Sequence, residues 1–336
     1  MKRHLLLVIA GVLTVAACGG AENTGDSAVP ATDANPTEVT LLAYDAFTPA
    51  EGIFDAFTAE TGATVRVVTG GDSGTVISKA ILTAGNPEGD VLWGVDNTTL
   101  SRAQDAGLLE SYEPVDTGDV CVNYSKKWYA SRGLEPPTGL DDLVKPQYRG
   151  QLVVQDAVNS SPGLAFLMAT VAKYGDGWQE WWRALMDNDA KVVSDWTTSW
   201  TVEYAGGGNP GTRPLVVSYG SSPPAEIVYA ADRSAVTEPD SGVIESTCFR
   251  QTEYAGVLRG TKNDGIAQKL VEYLLARRFQ ESMPLSLFVF PVNNEASLPE
   301  VFAKWAVKAA DPLSLSAADI AANRDRWLDE WRAIAL

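Results

Sequence analysis

Hydrophobic positions along the chain change period in a repeating order. Val39-Thr40-Leu41-Leu42-Ala43-Tyr44 is a run of β-formers, closed by Pro49. Ile53, Phe54 and Phe57 then share one side of a helix that Gly62 stops. Thr64 to Val68 makes a second strand, and the glycine-rich turn Gly70–Gly74 follows it. Val76, Ile77, Ala80 and Ile81 mark a second helix ending near Gly85. Asp90-Val91-Leu92-Trp93 is a third strand, with a helix from Thr98 to Gly107 behind it. Strands and helices in this alternation predict a parallel sheet covered by helices. Such sheets bind ligands beyond the carboxyl ends of their strands. Tyr44, Asp72 and Asp96 stand at those ends.

The pattern then starts again. Val120 to Tyr124 is a strand that leads into a second lobe. Leu152-Val153-Val154 is another, and a polar loop carries it to Ser160, Ser161 and Pro162. Serine is a good N-cap and proline suits the first helical turn, where its missing N–H costs nothing. The helix runs on through Leu164, Phe166, Leu167, Met168 and Val171. Its start offers free N–H groups, hydroxyls and a positive dipole end, which suit a phosphate, a carboxylate or a hydroxyl. A capped helix with no ligand is the plainer reading of the same residues. Trp178, Trp181, Trp182 and Leu185 fall at core-facing helical spacing. Val192 and Val193 form a strand, and Trp196 and Trp200 flank a helix beside Asp195. Leu215 to Tyr219 is a buried strand ending in a tyrosine, followed by a polar loop through Pro223-Pro224 into a helix. A strand-end ring facing the Ser160 loop is what a small-molecule site would use. Two short segments, Val243–Ser246 and Tyr254–Leu258, return the chain to the first lobe. Ser316 caps a last helix with Ile320, Trp327, Leu328, Trp331 and Ile334 inward.

The first 37 residues stand apart from this pattern. Lys2 and Arg3 precede a short apolar run from Leu5 to Val15, and Val15-Ala16-Ala17-Cys18 places small residues before a cysteine. This resembles a bacterial lipobox. It implies a signal peptide over 1–17 and a lipidated Cys18 at the head of a flexible tether over 18–37. The expected location is therefore extracytoplasmic, anchored to the cell membrane. The formal charge of −17 becomes −19 once Lys2 and Arg3 are gone, so no basic face for nucleic acid is expected. Cys121 and Cys248 remain, and outside the cytoplasm they can pair as a disulfide, with two buried thiols as the alternative. The lone histidine, His4, lies in the signal segment. No Ser-His-Asp or Cys-His mechanism and no histidine metal site is then open to the mature chain, and no cofactor or enzymatic activity is expected.

A tethered, two-lobed α/β chain of this kind resembles the periplasmic-type solute-binding proteins of ABC importers, and within them the thiamine-binding branch. The resemblance is carried by Tyr44-Asp45-Ala46-Phe47, by Asp90 through Asn97, and by Gln155-Asp156 through Ser160-Ser161-Pro162-Gly163-Leu164. It continues in Val216 through Tyr219 with Ser222-Pro223, in Phe290-Pro291-Val292, and in Arg326 through Trp331. It implies a type II-like periplasmic binding protein fold, each lobe a sheet flanked by helices, with the ligand cleft between them. Lobe one is expected over 38–117 plus 247–290, lobe two over 118–246, and a C-terminal helical segment over 291–336 packs on both. The ligand implied is thiamine or its phosphates, lined by Tyr44, Asp72, Ser160, Ser161, Trp200, Tyr219 and Phe288, and the partner is a membrane permease. A monomer is expected. Two positions depart from the branch: Pro224-Ala225-Glu226 stands where a tyrosine is usual, and Phe288 where a tryptophan is. Tyr229 or Trp196 are candidates to replace the missing ring. The same fold with ferric iron or a polyamine as ligand is the alternative, and a carboxylate-based hydrolase is a more distant one.

Overall fold

The computed structural model describes residues 37–336, so the signal segment, Cys18 and nearly all of the tether lie outside the described residues. Nine strands occur among the described residues: β1 (Glu38–Ala43), β2 (Thr64–Thr69), β3 (Val91–Asp96), β4 (Leu109–Ser125), β5 (Leu152–Gln155), β6 (Lys191–Val193), β7 (Leu215–Tyr219), β8 (Ser241–Leu258) and β9 (Phe290–Pro291). They form one path, β2-β1-β3-β8-β4-β7-β5-β6, with β9 on β4.

The expected alternation is present at both ends of this path. β1 lies between β2 and β3 and is parallel to both, with helices Asp55–Thr61 and Ser73–Leu82 connecting them. β5 lies between β6 and β7, again parallel, with the helix Ser161–Tyr174 following it. The middle differs from the sequence reading. The two short segments near 243 and 254 are the ends of a single strand, β8, of 18 residues. It pairs antiparallel with the 17-residue β4 along most of its length. The polar residues between those ends, Thr247, Gln251 and Glu253, hide the continuity because they are buried without being apolar.

Each end of the path has its own apolar core. Val39, Leu41, Phe57, Trp93, Val115, Val257, Leu274 and Phe279 pack together on one side. Val122, Val154, Phe166, Trp182, Leu215 and Phe249 pack on the other. The C-terminal helix Ala317–Ala335 belongs to this second core. Ser316 caps it by accepting the Asp319 N–H at 3.0 Å. Ile320, Trp327, Leu328 and Trp331 point inward, and Trp331 meets Trp182 edge-on at 5.6 Å. No helix among the described residues is long and apolar enough to cross a membrane.

Cys121 of β4 and Cys248 of β8 form the disulfide, joining positions 127 residues apart where the chain passes between lobes. A loop of that length contributes about 4–5 kcal/mol in the chain-entropy picture. Replacing both cysteines with alanine should lower the urea midpoint by a corresponding amount. Equilibrium unfolding of the double variant under oxidising conditions checks this, and an unchanged midpoint counts against a stabilising role.

Candidate ligand-binding cleft

Asp72 is the N-cap of the helix Ser73–Leu82 in lobe one. Its Oδ1 accepts the Ser73 N–H at 2.7 Å, and its Oδ2 accepts the Trp196 N–H of lobe two at 3.2 Å. The same helix start lies on the loop before Ser160. A Cβ added at Gly74 would stand 2.6 Å from the Val158 carbonyl oxygen, so only glycine allows this approach. Ser160 is the N-cap of the helix Ser161–Tyr174. Its hydroxyl is buried and sits close enough to Asp72 to pull that carboxyl's pKa down, yet forms no well-shaped hydrogen bond. Burial works against this and holds Asp72 above the usual carboxylate range.

Ser161 reaches back across the cleft. Its hydroxyl donates to Asp96 Oδ2 and accepts from Gln251 Nε2 at 2.6 Å. Asp96 is further satisfied by the N–H and hydroxyl groups of Thr98 and Thr99. Tyr44, half-buried at the end of β1, donates its hydroxyl to Glu253 Oε2 at 3.2 Å, and the Trp93 indole donates to the same oxygen at 3.0 Å. Tyr219, half-buried at the end of β7, lays its ring against Gly118, where a Cβ would stand 3.0 Å from it. Burial first, then Glu253, raise the pKa of both tyrosines well above 10, so both stay neutral.

The floor of this space is acidic. Asp96, Glu253 and Asp116 face one another in register across β3, β8 and β4. All three are buried. None of Asp72, Asp96, Asp116 and Glu253 takes a hydrogen bond or ion pair from Lys or Arg among the described residues. Burial, then the charge of Asp96, lifts Glu253 to about 7, and burial with Glu253 opposite lifts Asp116 well above the carboxylate range.

Tyr44, Asp72, Ser160, Ser161 and Tyr219 thus converge. Trp200 stands one ring away: it stacks on Trp196 at 5.9 Å and meets Tyr204 at 5.1 Å. Trp196 is the residue that touches Asp72, and its indole donates to Ser218 at 2.9 Å. Phe288 packs edge-on against Tyr229 at 5.4 Å. Glu253, Asp116 and Gln251 were not legible as site residues, because they lie in mid-strand and only register brings them to the floor.

Residues 90–311 match the model of a family described as bacterial extracellular solute-binding protein. The thiamine-binding periplasmic protein of Escherichia coli (strain K12) is 26% identical over 317 residues, covering 88% of this chain and 92% of that protein. Iron uptake protein A2 of Synechocystis sp. is 25% identical over 257 residues, covering 69% and 72%. A solved periplasmic thiamin binding protein aligns with a TM-score of 0.78 at 25% identity, covering 89% of this chain and 96% of that one.

The contact at Gly74 makes a prediction about closure. Gly74→Ala should hold the lobes apart by steric conflict with Val158, while each lobe keeps its own core. Small-angle scattering should then report a larger radius of gyration than wild type, with an unfolding midpoint little changed. An unchanged radius would show that the loop yields instead.

Proposed function

The chain belongs to the bacterial extracellular solute-binding protein family, and from there we propose that it captures thiamine or a thiamine phosphate between its lobes and delivers it to the permease of an ABC importer. The observation that carries this reading is a junction between the lobes where aromatic residues meet buried acids that, among the described residues, bond no Lys or Arg. A buried negative charge without a partner is costly, and a positively charged ligand removes that cost. The thiazolium of thiamine has a fixed positive charge, and aromatic faces attract such a cation by about 0.5–2 kcal/mol each. Tyr44, Tyr219 and Trp196 would supply those faces, with Trp200 stacked behind Trp196 as its support, and Phe288 with Tyr229 would supply one more. Asp72 takes the charge or accepts a hydrogen bond from the ligand's amino group. Ser160, Ser161 and the helix start behind them take the hydroxyethyl or phosphate end. The names of the relatives support the same ligand.

Binding alone is involved, with no bond made or broken in the solute. We place the lobe boundary at 117/118 on the outward strand β4 and at 246/247 on the return strand β8, with Phe249 just past it still packed in the second core. The protein is proposed to act as a monomer, held at the membrane by lipidated Cys18 and reaching the permease on its tether. Of the alternatives, a polyamine gains from the acidic floor, since several carboxylates suit several ammonium groups. Ferric iron rests on the name of the Synechocystis relative. Among the described residues no group of three or more His, Cys, Asp or Glu is arranged to hold a metal ion.

Titration with thiamine should quench tryptophan fluorescence at micromolar concentration or below. Trp196→Ala should weaken binding by roughly 2- to 30-fold, the loss of one cation–π face. Asp72→Asn should weaken it by tenfold or more. Spermidine displacing thiamine, or binding where thiamine does not, would replace this ligand with a polyamine.

A further inference from the structure

Asp116 and Glu253 sit opposite one another on β4 and β8, and Asp96 flanks Glu253 from β3. Directly opposed residues project to the same face with Cβ atoms about 4.5–5.5 Å apart. Asp116 is 1% exposed and Glu253 4%. Two carboxylates so placed in a low dielectric cannot both ionise freely. Two buried oxygens on this floor are without hydrogen-bond partners among the described residues. Asp116 Oδ2 accepts no hydrogen bond, and Gln251 Oε1, two residues from Glu253 on the same face of β8, accepts none either.

The same two strands also carry a buried acid that has a cation beside it. Asp119 opposes Arg250, three positions along. Arg250 pairs with it through two nitrogens, and the Ala309 N–H adds a bond at 2.7 Å. Among the described residues no such cation is supplied at 116 and 253. We propose that Asp116 and Glu253 form a proton-exchanging socket for a cation: the ligand-free pair shares one proton, and a positively charged heterocycle entering the cleft displaces that proton to solvent.

This rests on the reading of the cleft as a cation site. The exchange conserves charge: one O–H bond breaks, its proton goes to the buffer, and the ligand's positive charge takes its place. No covalent bond to the ligand forms. Glu253 keeps the Tyr44 and Trp93 donors throughout, so Tyr44 connects the pair to a ring lining the cleft. The groups facing Glu253 are Asp96 from β3, Asp116 from β4, Tyr44 from the end of β1, Tyr219 from β7 and Asp72 from the start of the helix Ser73–Leu82. All are acids or neutral phenols. Arg324 of the C-terminal helix acts on Asp96 from behind and gives its hydrogen bond to Asp325. A neutral analogue cannot displace the proton, so discrimination for a cation should sharpen as pH rises.

The sign for stability follows from the raised carboxyls. The unfolded chain gives up the Glu253 proton near pH 4.3, whereas the folded protein keeps it to about 7. The stability supplied by the retained proton is therefore present at low pH and lost as pH rises through about 7.

Two measurements test the socket. Calorimetry with thiamine at pH 6.5, in phosphate and in Tris, should give enthalpies that differ by the release of up to about one proton per ligand, with no release at pH 9. Glu253→Gln and Asp116→Asn should each abolish the release, while neutral thiochrome should show none with wild type. Equal enthalpies in both buffers, or release that survives in both variants, overturns the proposal. In ligand-free protein, the thermal midpoint of wild type should fall relative to Glu253→Gln between pH 5 and pH 8. Parallel curves overturn the shared proton whatever the ligand. No heat with thiamine alongside diverging curves would overturn the ligand assignment and uphold the proton pair.

Discussion

The antiparallel pairing of β4 with β8 is the constraint on which the rest depends. The two strands carry the chain out of the first lobe and back, paired from Leu109 opposite Leu258 to Ser125 opposite Ser241 with register shifts at Leu109/Ser111, Pro114/Asp116 and Val120/Val122. The parallel units β2-β1-β3 and β7-β5-β6 attach to their outer edges. Each unit packs its own helices into its own core, so the two long strands and their disulfide hold two separate hydrophobic bodies in one frame. The same register sets the chemistry. Slipping β8 by one residue would turn Glu253 off the face of Asp116 and Asp96, because side chains alternate with a period of two.

Three ways of burying an acid stand side by side on this frame. Asp119 is neutralised by Arg250. Asp96 is held by hydroxyl and N–H donors, two of its partners being Gln251 and Ser161. Glu253 has only a phenol and an indole, and one oxygen of Asp116 has nothing. A fold able to place an arginine three residues away has left this pair open at the foot of a cleft lined with aromatic rings. Desolvated charge without a partner is among the most costly features a protein can keep. The proposed cation would account for it, and the proposed shared proton would account for the interval before the ligand arrives.

Much of this frame was legible in the chain. Short β-branched runs alternating with helical spacing located β1 to β3 and β5 to β7, and strand ends pointed to Tyr44, Asp72 and Tyr219. Caps located Ser160 and Ser316 because capping is local chemistry. Glu253 and Asp116 are hidden in the chain pattern for a physical reason. A buried polar residue in mid-strand looks like a break between two strands, and which residues oppose one another depends on register across 137 positions of sequence separation, from 116 to 253. Trp200 and Trp196 share one helical face by spacing, but only the backbone path decides that Trp196 touches Asp72 while Trp200 is sandwiched behind it. The lobe assignment of the last helix also needed the fold: its inward face could be read from period, and its destination beside Trp182 could not.

The contacts that bring the lobes together argue that closure is meant to be reversible. Several of them are polar: Asp72 to the Trp196 N–H, Ser161 to Asp96 and Gln251, and the bare backbone approach at Gly74; Phe288 against Tyr229 and the C-terminal helix against the helix Leu100–Asp105 add smaller packing contacts. The principal apolar cores stay on their own sides, so closing adds little burial of the kind that fixes a fold. Closure also brings Asp72 and the acidic floor into a smaller, drier space, which raises the cost of their charge. A ligand binding both lobes shifts the balance only by its different affinity for the two states. For the proposed cation, that difference would come from the buried acids, whose field strengthens as water is excluded around them. A neutral solute of the same shape would gain the contacts without relieving the charge.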